Sequence, residues 1–140
     1  MAHFSRLFKI VIDVPASDHG RELSFWEAAL GQSLQQFGLP EYHGAALHGQ
    51  DFWLLTQRLG EGSARVHLDI HTDDLDAEVA RLERLGAQRV ERVRSWQVMR
   101  DPAGLLFCVL LEMFCAKKIT PAASPCWISE IRLAGGFRPE

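Results

Sequence analysis

The order of apolar and polar positions in the first half of the chain predicts one strand, one helix and three short strands. Residues 8–14 are rich in β-branched side chains and stop at Pro15, the pattern of a strand whose Val11 and Asp13 share one face. The next segment has apolar residues at helical spacing before Gly31, and these residues are Leu23, Trp26 and Leu30. Turns containing glycine or proline then divide residues 33–58 into three short strands.

The second half of the chain predicts the same order of elements again. Residues 66–72 form a strand, and the helix after it begins at the capping residues Asp73 and Asp74 and ends at Gly86. The predicted buried stripe of this helix is Leu75, Val79, Leu82 and Leu85. Three more strands are expected at residues 89–93, 96–100 and 105–112.

The two halves share more than their element order. Val11 and His67 are 56 residues apart, and so are Asp13 and Asp69. Each pair falls at matching positions of the first strand in its half, which indicates an internal repeat of a βαβββ module.

Composition and charge exclude several function classes. The chain has 140 residues and a formal net charge of −3, with its basic residues scattered, so we expect no nucleic-acid partner. The longest apolar run, residues 105–111, is far too short to cross a membrane, and the absence of a secretory signal pattern predicts a cytoplasmic protein. An odd set of three cysteines, Cys108, Cys115 and Cys126, predicts reduced thiols.

Several short motifs resemble the vicinal oxygen chelate superfamily of glyoxalases, bleomycin-resistance proteins and extradiol dioxygenases. The similarity covers roughly residues 7–112, and its motifs are residues 25–31 (FWEAALG), 66–70 (VHLDI), 73–76 (DDLD), 85–87 (LGA) and 101–104 (DPAG). The resemblance implies an α+β fold in which two βαβββ modules, about residues 7–58 and 65–112, form a curved mixed-sheet cup. It also implies one domain over residues 1–115 and a homodimer.

Metal-using members of this superfamily place ligands on the first and last strands of each module. The corresponding positions here are Val11, His67 and Cys108, with Gln57 as the one possible donor on the last strand of module one. Valine cannot bind a metal and cysteine replaces the usual carboxylate, so the resemblance implies a metal-independent protein without a cofactor. If a metal is bound, its ligand is His67.

The candidate site residues lie on the strands that would line the cup. His67, Asp69 and His71 alternate along one strand and so project to one face, with Asp13 on the symmetric strand. His67 and Asp69 are the candidate catalytic residues, and the candidate ligand-binding residues are Asp13, Trp53, Gln57, Trp96 and Cys108. Three alternatives stay open for these polar residues, namely structural burial, ligand binding and acid–base catalysis.

The leading functional expectation is a glyoxalase-like protein that binds a small organic molecule in its cup, in the manner of the bleomycin-resistance members. One alternative is a lyase or isomerase that uses His67 as metal ligand or general base. Another is a non-catalytic interaction module with a vestigial cup. Residues 116–140 lie outside the resemblance but are apolar around Trp127, so we expect them to dock on the domain or on a partner subunit.

Overall fold

The computed structural model describes residues 2–36, 38–49, 51–93 and 95–112. These residues divide into two compact units, a first unit of residues 8–69 and a second unit of residues 2–7 and 70–112. The expectations for Cys115, Cys126 and the docking of residues 116–140 lie outside the described residues. None of the helices in the described ranges is long and apolar enough to span a membrane.

The described part of the chain contains eight strands and two helices in the predicted order. They are β1 (Ser5–Pro15), α1 (His19–Leu30), β2 (Gln35–Gln36), β3 (Tyr42–Ala46), β4 (Trp53–Leu59), β5 (Arg65–Thr72), α2 (Leu75–Arg84), β6 (Gln88–Val93), β7 (Trp96–Arg100) and β8 (Leu106–Leu111). The order βαβββ therefore occurs twice, and the α+β fold class predicted from the sequence is confirmed.

The sheet of the first unit is mixed. Its strand order is β2-β3-β4-β1-β5. β1 runs parallel to β4, whereas β3 is antiparallel to both β2 and β4. The parallel β1–β4 pair is possible because α1 carries the chain back before the next strands begin.

Helix α1 covers one face of this sheet. Ile12, Val14 and Leu54 form the buried cluster there, and Trp26 of α1 packs against it. Gly31 ends the helix at φ 62°, as its position in the sequence predicts. The helical spacing of Leu23, Trp26 and Leu30 predicts that all three are buried, and this is wrong for Leu30, which lies at the end of α1 and is exposed.

In the second unit, strands β8, β7 and β6 form an antiparallel sheet that packs against α2. The core here is Leu75, Val79, Met99 and Val109. Asp74 caps α2 by accepting a hydrogen bond from the Ala77 amide at 3.0 Å. Leu85 follows the last helical residue and is 66% exposed, so its predicted burial is wrong.

Within the second unit, residues 3 and 4 contact the beginning of α2 and the residue just before its cap. The Phe4 amide donates to Asp73 Oδ1 at 2.7 Å, and His3 Nε2 lies 2.5 Å from Glu78 Oε2. Glu78 is fully buried and accepts two hydrogen bonds from Arg81, and these bonds, against the opposing effect of burial, lower the pKa of Glu78 to about 2. The Glu78 carboxylate is therefore ionised at neutral pH, and Arg81 compensates its negative charge.

We expect Met99→Ala to lower the free energy of unfolding by about 2–5 kcal/mol, because Met99 is fully buried in the core of the second unit. Leu85→Ala is the matched control, and its exposed side chain should change stability by less than about 0.5 kcal/mol. Urea unfolding followed by circular dichroism measures both. Equal losses for the two variants would contradict this assignment of the core.

Candidate functional site

A row of polar side chains crosses the first unit on the face of the sheet turned away from α1. Asp13 on β1 is the direct neighbour of Gln57 on β4, and Gln57 is in turn the neighbour of Tyr42 on β3. Direct cross-strand neighbours project to the same side of a sheet, so these three side chains lie in line. Gln57 Nε2 lies 3.5 Å from the Tyr42 hydroxyl, at the long limit of a hydrogen bond. We call Asp13, Gln57 and Tyr42 the polar row.

The neighbouring row on the same face is apolar and small. Val11 pairs with Leu55, and Leu55 pairs with Gly44. Val11 and Leu55 are 1% and 4% exposed, and Gly44 adds no side chain. These three residues form the apolar floor beside the polar row. Trp53 lies two residues before Leu55 on β4 and therefore projects to the same face.

Asp13 is the centre of a group of charged side chains. Its Oδ2 lies 2.7 Å from His67 Nδ1 and accepts a hydrogen bond from Arg65 Nε at 3.1 Å. The side chain of Asp13 is fully buried. Its second oxygen, Oδ1, is also buried and has no hydrogen-bond partner among the described residues. Asp13 thus has one oxygen fully engaged and one acceptor still open.

Asp69 closes the group from the other side of the imidazole. Its Oδ1 lies 3.4 Å from His67 Nε2, and its Oδ2 lies 3.4 Å from Lys9 Nζ. Lys9 is 2% exposed and Asp69 is 5% exposed, which is unusual for either residue type. We call Lys9, Asp13, Arg65, His67 and Asp69 the charge cluster.

The protonation of His67 follows from these contacts. Burial disfavours the imidazolium, but the hydrogen bonds to Asp13 and Asp69 outweigh burial and raise the pKa of His67 to about 9. At neutral pH this shift favours the protonated ring, with Nδ1 against Asp13 and Nε2 near Asp69.

Within the first unit, His67 and Asp69 offer a ring nitrogen and a carboxylate oxygen within 4.8 Å of each other, close enough to contact one metal ion. The corresponding position on β1 is Val11, which has no donor atom. The side chains of His67 and Asp69 could therefore serve either as ligands of a divalent metal or in the ion pairs described above.

The structure brings five of the seven predicted site residues to one face of the first unit. They are Asp13, Trp53, Gln57, His67 and Asp69. Trp96 and Cys108 belong to the second unit, where both are partly buried on β7 and β8. Those two share the face of their sheet that is turned away from α2, because Met99 and Val109, of opposite alternation, pack against the helix.

Three members of the site were missed at the level of the sequence, namely Lys9, Arg65 and Tyr42. The signal for two of them was present, because Lys9 precedes Asp13 by four residues and Arg65 precedes His67 by two. Strand alternation alone places each on the same face as its partner. Tyr42 had no such signal, since its position depends on the register between β3 and β4.

Comparison with solved structures shows the same fold in proteins of low sequence identity. Methylmalonyl-CoA epimerase from Mycobacterium tuberculosis superimposes with a TM-score of 0.56 and 18% identity, over 76% of this chain and 87% of the epimerase. The hypothetical protein BH1468 from Bacillus halodurans gives 0.58 and 19%, over 81% of this chain and 99% of that protein.

A longer protein also contains this fold. 2,2',3-Trihydroxybiphenyl 1,2-dioxygenase from Sphingomonas wittichii matches with a TM-score of 0.52 and 10% identity, over 78% of this chain but 41% of the dioxygenase. At these identities the likeness shows the fold alone. No protein of curated function matches the sequence.

The sequence itself matches a family model. The model describes a glyoxalase-like domain and matches residues 9–110, which include both helices, the polar row and the charge cluster. The match agrees with the superfamily resemblance carried by the short sequence motifs. The chain therefore belongs to the glyoxalase-like domain family.

Proposed function

We propose that this glyoxalase-like protein binds a small organic molecule without a metal, on the face of the first unit that carries the polar row and the apolar floor. The observation that carries this proposal is the position of His67, whose two ring nitrogens face the carboxylates of Asp13 and Asp69. The family's usual metal-ligand position is thereby occupied by an imidazolium that is already engaged in two ion pairs.

The charge cluster supports binding in preference to a purely structural role. Burying ion pairs contributes little net stability, and apolar residues of similar size often stabilise a fold more. Concentrations of buried ionisable groups with shifted pKa values are common at functional sites. The buried Asp13 Oδ1, which lacks a partner among the described residues, supports the same conclusion because such acceptors are normally satisfied.

The surroundings of the cluster suit a small organic ligand. Val11, Leu55 and Gly44 provide an apolar floor with little side-chain volume at Gly44. Trp53 at the start of β4 and Tyr42 on β3, opposite Gln57, add aromatic side chains to this face. Buried apolar residues beside a few convergent polar groups are the usual composition of an enclosed ligand site.

The alternative of a lyase or isomerase requires His67 to act as general base or metal ligand. Both roles need a neutral imidazole, and the raised pKa of His67 opposes this at neutral pH. The arrangement therefore favours binding over that catalytic mechanism. The homodimer, the cytoplasmic location and the interaction-module alternative stay predictions of the resemblance and the sequence.

The binding proposal predicts that replacing His67 does not change the metal content of the protein, whereas replacing Asp13 weakens ligand binding. Tag-free wild-type protein and His67→Gln should contain the same amount of transition metal by elemental analysis. A small-molecule screen by thermal shift identifies compounds that raise the melting temperature of the wild type. These compounds should lose most of that shift in Asp13→Asn, because the amide lacks the negative charge and the second acceptor oxygen of the carboxylate. The control is Glu61→Gln, an exposed loop position, which should keep the full shift.

Two results would contradict the proposal. Near-stoichiometric metal that disappears in His67→Gln would show that the imidazole is a ligand. Compounds that bind Asp13→Asn as tightly as the wild type would place ligand binding elsewhere.

The raised pKa of His67 predicts a loss of stability in mild alkali. The folded pKa of about 9 lies above the ordinary value of 6.5, so the ion pairs contribute fully below pH 6.5 and their contribution disappears as the pH rises through 9. From the shift, this contribution is on the order of 3 kcal/mol. Urea unfolding at several pH values between 6 and 9.5 should show wild type losing this amount relative to His67→Gln. An NMR titration that gives His67 a pKa at or below 6.5 would disprove the interpretation.

A further inference from the structure

A second polar cluster lies in the first unit on the opposite face of the same sheet. His43 on β3 is the direct neighbour of Thr56 on β4, and both alternate with residues of the polar row. His19 is the first residue of α1 and lies next to them, with its Nε2 atom 3.4 Å from Thr56 Oγ1. We call His19, His43 and Thr56 the histidine pair site, which contains no member of the charge cluster.

The two imidazoles are spaced as metal-bound imidazoles are. Their ring centroids are 5.2 Å apart, with an angle of 57° between the ring planes. With metal–nitrogen bonds of about 2.0–2.1 Å, two imidazoles on one tetrahedral ion place their centroids roughly 5 Å apart. The centroid spacing is therefore the one expected of two imidazoles on a single metal ion.

The hydrogen bonds of the two histidines leave ring nitrogens that can coordinate such an ion. Thr56 Oγ1 donates to the backbone carbonyl of His43 at 3.3 Å and so can accept from His19 Nε2. His43 Nδ1 is buried and has no hydrogen-bond partner among the described residues. A buried ring nitrogen with an unused lone pair is costly, and a metal ion would remove that cost.

Charged side chains near the pair act on a bound cation in both directions. Arg58 is close enough to both rings to oppose positive charge there, whereas Glu27 favours positive charge at His43.

We propose that His19 and His43 form a binding site for a divalent transition-metal ion of the kind that imidazole nitrogen prefers, such as Zn²⁺ or Cu²⁺. Two protein nitrogens hold the ion, and water or the Thr56 hydroxyl completes its coordination. Cu²⁺ binds more tightly than Zn²⁺, in line with the general order of divalent affinities. This site is independent of His67 and of the ligand proposed for the polar row.

Isothermal titration of tag-free protein with Zn²⁺ tests the proposal. We expect one equivalent to bind the wild type, and His43→Gln and His19→Gln each to weaken binding by at least about tenfold. His48→Gln, at an exposed turn, is the matched control and should leave the affinity unchanged. Binding that survives both His19→Gln and His43→Gln, or no binding by the folded wild type, would overturn the proposal.

Electron paramagnetic resonance with Cu²⁺ provides a test that does not depend on variants of the pair. The wild-type protein is used with less than one equivalent of Cu²⁺. The spectrum should show superhyperfine coupling to two imidazole nitrogens. Coupling to one nitrogen or to none would exclude a site made by both histidines.

Discussion

The carboxylate of Asp13 has no contact with bulk water, and the site geometry of the first unit depends on how its charge is compensated. Isolated buried carboxylates are strongly unfavourable, so Asp13 needs cationic partners within hydrogen-bond distance. His67 and Arg65 supply them from β5, the strand beside β1. The ion pairs of Asp13 therefore connect β1 to β5 through side chains, in addition to the backbone hydrogen bonds between these strands. Lys9 and Asp69 repeat the arrangement between the same two strands.

The same constraint determines which protonation state of the His67 ring is favoured. An imidazole with neutral neighbours keeps a lone pair, whereas one between two carboxylates keeps both protons. Asp13 on β1 brings a negative charge against the ring of His67 on the neighbouring strand β5.

Much of the fold could be predicted from the sequence because its signals are local. Gly31 and Asp74 mark helix ends through backbone conformation and capping, and strand alternation put Asp13, His67 and Asp69 on one face. Leu30 and Leu85 were misjudged because helical spacing does not reveal whether the last turn still contacts a sheet. The neighbours Gln57 and Tyr42, like the pair His19 and His43, depend on register and on where α1 begins, which no local pattern encodes.

Arg65 differs from the rest of the charge cluster in its place on the strand. It is the first residue of β5, next to the loop of residues 60–64, and its side chain is 29% exposed while Asp13 is fully buried. Strand ends open locally far more often than strand centres do. Fraying of this single residue breaks one hydrogen bond to Asp13 and leaves the contact with His67 in place. The interior of the cluster can therefore exchange protons and water with its surroundings on a much faster timescale than the unit unfolds.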